Sequence, residues 1–102
     1  MTEIRMDWGT LRITADGHAG GGEKGQDIIC AGISALMMAL LNQLLEEKQN
    51  RTKWEKNDGH IEIQPHPPDI MRPRIIHYYQ VIMMGLRAWQ QTFPENIRIE
   101  EE

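Results

Sequence analysis

The sequence predicts an α+β fold: one small single-layer sheet, mixed or antiparallel, packed with two long helices. Three observations carry this. Apolar residues recur at three- and four-residue steps over two long stretches, the signature of helices with one buried face. Shorter stretches alternate apolar and polar residues with a period of two, as half-buried strands do. The resulting order, strand or strands, helix, hairpin, helix, strand, packs most simply as helices laid on one sheet.

Residues 3–15 read as strand, because Leu11, Ile13 and Ala15 alternate with Thr10, Arg12 and Thr14. The Asp7-Trp8-Gly9 stretch fits either a turn between two strands or part of one. From Asp16 to Gln26 five of eleven residues are glycine, which argues for a loop. Asp27 is placed to cap a helix that runs to about residue 48. Its apolar face is Ile29, Ile33, Leu36, Met37, Leu40, Leu41, Leu44 and Leu45. Residues 52–64 form a predicted hairpin turning at Asn57-Asp58-Gly59, with Ile61 and Ile63 on one face. Pro65-His66-Pro67-Pro68 breaks the chain, and a second helix follows with Pro73 in its first turn and Pro94 at its stop. Ile97-Arg98-Ile99 suits a last edge strand, which the terminal glutamates guard against strand-on-strand pairing.

A chain of 102 residues without repeats or linker reads as a single domain over 1–102. It is 40% apolar and 25% charged, as soluble globular proteins are. The net charge of −4, with no dense cluster of lysine and arginine, argues against direct nucleic acid binding. The apolar stretch Ile33 to Leu45 is interrupted by Ser34, Asn42 and Gln43, and the expectation is no membrane span. One cysteine excludes an internal disulfide and favours a reducing compartment, so the expected location is the bacterial or phage cytoplasm. Helix faces this wide in so short a chain suit a homodimer.

With Asp27 as cap, Cys30 falls at the third helical position, near unpaired backbone N–H groups and the positive end of the dipole. Both favour the reactive thiolate. His18 lies twelve residues upstream on the glycine-rich loop, which is able to fold back over the helix start. Its imidazole would take the thiol proton and return it to a leaving amine, while helix-start amides hold the oxyanion. The plainer reading makes Cys30 a small buried hydrophobe beside Ile28 and Ile29, and His18 a solvated loop residue.

The run Gly17-His18-Ala19, then Gly25-Gln26-Asp27-Ile28-Ile29-Cys30-Ala31-Gly32-Ile33-Ser34-Ala35-Leu36, closely resembles the ribosomal-processing cysteine proteases called Prp. The likeness continues through Gly85-Leu86 and Phe93-Pro94 to Ile99. It implies a small dimeric α+β cysteine endopeptidase that removes an N-terminal extension from a large-subunit ribosomal protein, the twenty-seventh in the usual naming. It puts the family's cysteine on Cys30, its histidine on His18, and supporting positions on Gly17, Asp27 and Ser34. Asp27 would cap the helix, worth about 1 kcal/mol, or hold the glycine loop. Ser34 would act near the sulfur or bond back to the carbonyl of Cys30. Gly17 would give backbone room or a positive φ.

Two departures from the family's pattern stand out. Gly32 stands where alanine is usual, which should cost the helix up to about 1 kcal/mol and opens room for a close approach. Gly20-Gly21-Gly22 replaces a stretch that often holds an aromatic residue. The loop from Ala19 to Gln26, with Gly20, Gly21, Gly22 and Gly25, is expected to be disordered when empty and to close over an extended peptide. His60, His66 and His77 show no metal-ligand spacing, so no metal and no cofactor are expected. The rival functions are a protease acting on phage structural proteins and a non-catalytic ribosome-assembly or peptide-binding module.

Overall fold

The computed structural model describes residues 1–17, 24–47 and 51–102, with residues 24–27 described by backbone alone. Chain order is β1 (Thr2–Asp7), β2 (Arg12–Asp16), α1 (Lys24–Leu45), β3 (Lys53–Asn57), β4 (His60–Gln64), a 3-10 turn (Pro67–Met71), α2 (Pro73–Thr92) and β5 (Ile97–Glu101). The strands form one sheet in the order β3-β4-β2-β1-β5. Only β1 and β5 run parallel; the other neighbours are antiparallel, so the sheet is mixed.

Alternation along the strands sends one set of side chains to the helices and the other to water. Ile4 and Met6 of β1, Ile13 and Ala15 of β2, and Ile61 and Ile63 of β4 are all buried and stand opposite one another in the register. They meet Ile29, Ile33, Met37, Leu40, Leu41 and Leu44 of α1 and Ile75, Tyr79, Met83 and Leu86 of α2 in one core. The opposite face carries charge. Arg5 pairs with Glu3 and Glu100, Arg12 with Glu62, and Arg98 with Glu100. Such exposed pairs add little to stability; their larger effect is to keep that face solvated.

Asp7-Trp8-Gly9 proves to be a turn. The Asp7 carboxylate accepts from the amides of Gly9 (2.8 Å) and Thr10 (3.2 Å), which separates β1 from β2. Leu11, expected in the strand, closes this turn with φ 58° while its side chain stays buried. The β3–β4 hairpin turns at Asp58-Gly59, where Gly59 has φ 76°, a conformation that favours glycine. Edge strand β5 is tied down at its end, where Glu101 accepts from the Trp8 indole (2.9 Å) and pairs with Arg87. That ion pair, helped by the indole, holds the Glu101 carboxyl below its usual range.

Three expectations are corrected. Helix α1 begins at Lys24, not after Asp27, so Asp27 is its fourth residue and not its cap, and Gly25 belongs to its first turn and not to a loop. Lys24 to Asp27 add no residue to the apolar periodicity. Once a helix is nucleated, extending it by a turn is cheap, and periodicity does not register such an extension. The third correction concerns Ile28–Leu45, which has a mean hydropathy of 2.0 over 18 residues, long and apolar enough to cross a membrane by composition alone. In the fold one side of this helix builds the core. Only 33% of the stretch is buried, which leaves Ile28, Ala31, Ala35 and Ala39 on its exposed side.

Tyr79 is fully buried, and its hydroxyl finds no hydrogen-bond partner among the described residues. Burial raises its pKa far above the ordinary phenol value. An unmet buried hydroxyl costs about 1–3 kcal/mol. Tyr79→Phe removes it and keeps the ring, so thermal unfolding should show an unchanged or higher Tm. A large drop would mean the hydroxyl is paired.

Candidate active site

Helix α1 lies across the sheet so that Cys30, Ile33, Ser34 and Met38 face the end of the β3–β4 hairpin. Between them is a cleft of about 470 Å³, closed on its other sides by Thr2, Ala15, Gly17 and the hairpin residues Lys56 to Ile61. Cys30 is half-buried, forms no disulfide and borders this space. The reading of Cys30 as a core hydrophobe therefore does not describe it: its neighbour Ile29 points into the core, while the sulfur-bearing side chain faces the cleft. Ser34 follows one helical turn later on the same wall.

Cys30 is the seventh residue of α1, not the third. Six residues at about 1.5 Å each put it about 9 Å beyond the helix start. The unpaired amides and the dipole act within the first turn, so the expected oxyanion site at the helix start is too far from the sulfur.

Gly17 is where β2 enters the cleft. A Cβ there would stand 2.8 Å from Thr2 Oγ1, 2.9 Å from Thr2 Cα and 3.0 Å from the carbonyl oxygen of Met1. Of the two roles expected for this glycine, close backbone approach is the one it fills. Its amide donates to the carbonyl of Gly59 at 2.9 Å, which stitches the end of β2 to the hairpin turn. His18, the next residue, and Ala19, Gly20, Gly21 and Gly22 lie outside the described residues, as does the expected closure of that loop.

Gly32 also serves close approach, but not toward a substrate. A Cβ on it would stand 2.1 Å from Cζ2 and 2.4 Å from Cε2 of Trp89 on α2. The indole fills the space that an alanine methyl would need, and it stacks on Phe93 with ring centroids 5.8 Å apart. Trp89 thus joins the two helices just behind Cys30.

Sequence reasoning left out the hairpin wall. Lys56, Asn57, Asp58 and Gly59 border the cleft, and His60 pairs with Asp16. Hairpin prediction locates the turn, yet nothing local indicates that it folds against β2, 44 residues away. Glu55, His60 and Glu62 bring ligand-type atoms within 4.8 Å of one another, a juxtaposition that no sequence spacing reveals. Arg12 pairs with Glu62, Asp16 with His60, and the Asn57 amide donates to Glu55, so each member of the group has a partner of its own.

The comparisons agree with this architecture. A family model described as cysteine protease Prp matches residues 1–98. The ribosomal processing cysteine protease Prp of Staphylococcus aureus is 30% identical over 89 residues, covering 85% of this chain and 82% of the relative. The crystal structure of the S. aureus protease Prp with a substrate peptide superposes with a TM-score of 0.86 over 100% of both chains, at 26% identity. Its complex with a covalently linked product peptide gives 0.83, also over 100% of both chains, at 27% identity. A match along nearly the whole sequence, matched again by the fold, admits one conclusion: the chain belongs to the cysteine protease Prp family.

Proposed function

We propose that this cysteine protease removes the N-terminal extension of a large-subunit ribosomal protein, the twenty-seventh, through a dyad of Cys30 and His18. The observation that carries the reading is the position of Cys30 on the wall of a cleft that Gly17 also borders. His18 follows Gly17, which borders the cleft, directly in the chain. The relatives named for ribosomal processing support the substrate, and the relative bearing a covalently linked product peptide supports covalent catalysis.

In the proposed mechanism His18 takes the proton from the thiol, and the sulfur attacks the scissile carbonyl. The resulting imidazolium then protonates the leaving amine, and water releases the acyl group from Cys30. With the helix start about two turns away, activation of the sulfur falls to His18 and not to the dipole. The Ser34 hydroxyl, on the same wall one turn on, is the proposed side-chain donor to the oxyanion. The substrate is expected to lie extended between α1 and the hairpin.

The active species is proposed to be a homodimer, supported by Ile28, Ala31, Ala35 and Ala39 on the uncovered side of α1. A cytoplasmic location is proposed from the single cysteine, whose chemistry needs a reduced thiol.

Mixing the purified protein with the ribosomal protein bearing its extension, and weighing the products by mass spectrometry, tests the substrate. One cut near the N-terminus, absent with Cys30→Ala, is the expected result. An intact ribosomal protein after long incubation refutes it.

A further inference from the structure

We propose that His60 is a positioning residue for the reaction: paired with Asp16, it locks the β3–β4 turn onto the end of β2 and so fixes where the chain leaves Gly17. The inference rests on Cys30 and His18 being the reacting pair, and it adds a residue that neither dyad nor family motif contains.

Two bonds join the same two segments. The Gly17 amide donates to the Gly59 carbonyl at 2.9 Å, and one residue away on each strand His60 Nδ1 donates to Asp16 Oδ1. Asp16 and His60 are also the last paired positions of the β2–β4 ladder. Together these two contacts hold Gly17 and the hairpin turn against each other at the cleft's edge. Cys30 stands across the same cleft. Displacement of a reacting group by about 1 Å costs up to about a hundredfold in rate, so a clamp at the preceding residue controls turnover without touching the substrate.

The charged groups facing His60 are Asp16 from β2, Glu55 from β3 and Glu62 on its own strand. All are acidic. The bond to Asp16, which outweighs the opposing cost of burial, holds the His60 pKa above the usual histidine value. A raised value makes the clamp complete below the ordinary histidine pKa of about 6.5 and weaker as pH climbs through the elevated one.

The test combines amide hydrogen exchange at Gly17 with separate kcat and KM values on a peptide copied from the ribosomal protein's N-terminal extension. His60→Ala should lower Gly17 protection by about tenfold, with Met6 and Ile13 in the middle of the sheet unchanged. It should lower kcat by about tenfold and leave KM within about twofold of wild type. His60→Asn, which offers an amide nitrogen where Nδ1 stood, should restore both, and should remove the alkaline loss of Gly17 protection seen in wild type. If His60→Ala does not fold, His60→Asn carries the test through that missing pH step.

Unchanged Gly17 protection, a kcat untouched by its loss, or a pH step that persists in His60→Asn each overturns the positioning role while wild type still cleaves. A folded wild type that cleaves no peptide refutes the dyad reading instead, and the positioning role with it.

Discussion

Cys30→Ala should abolish peptide cleavage, with a loss of at least about 10⁴-fold in kcat, while peptide affinity stays within a few-fold of wild type. The substitution removes one sulfur from a cleft wall and leaves the core residues Ile29 and Ile33 in place. Stability should therefore change by less than about 1 kcal/mol, as for positions outside packed interiors. This pattern separates the two roles a lone cysteine can fill. A structural cysteine would lose stability on truncation and keep its activity; a nucleophile does the reverse. Product mass spectrometry, fluorescence anisotropy with a labelled peptide, and a thermal melt measure the three quantities. Retained cleavage would remove Cys30 from the chemistry. Cleavage by wild type that is lost in the variant while binding persists would also exclude the non-catalytic module, which cleaves nothing in either form.

Gly32→Ala should destabilise the protein by about 2 kcal/mol, although helix propensity alone predicts a gain of about 1 kcal/mol. The two effects oppose each other, and distance decides between them. A Cβ at 2.1 Å from the Trp89 indole lies far inside any real contact. The obstacle is a rigid bicyclic ring, itself stacked on Phe93, so no flexible chain end can swing aside. Either the indole leaves its site or the two helices spread, and both loosen packing behind Cys30. For a domain of this size the Tm should fall by about 10 °C. Pairing Gly32→Ala with Trp89→Leu should cost less than the sum of the single changes, because the smaller side chain relieves the clash. A Gly32→Ala variant with a raised Tm would show that the two helices are not held this closely.

The same glycine separates what local pattern conveys from what it omits. At Gly32 the sequence signals a missing side chain within a helix and thus room for something close. That the occupant is Trp89, 57 residues later and on another element, follows only from how α1 crosses α2. The element types were legible because each reports on itself: Pro73 and Pro94 bracket α2, and Ile61 and Ile63 mark one face of β4. The start of α1 was not. Lys24 to Asp27 add a turn in front of the apolar run and leave no periodic trace, so the expected dipole and oxyanion roles of the helix mouth fell on the wrong atoms.

Residue order alone established the element types, the sheet-and-helix class and the kinship carried by the Gly-His-Ala and Asp-Ile-Ile-Cys runs, since spacing along the chain is a one-dimensional property. Tertiary structure decided that Cys30 faces a cleft while Ile29 enters the core, that the far hairpin forms the opposite wall, and that His60 meets Asp16. Those outcomes depend on strand order and helix crossing, where segments distant in the chain come together, and no local periodicity encodes which pairs will meet.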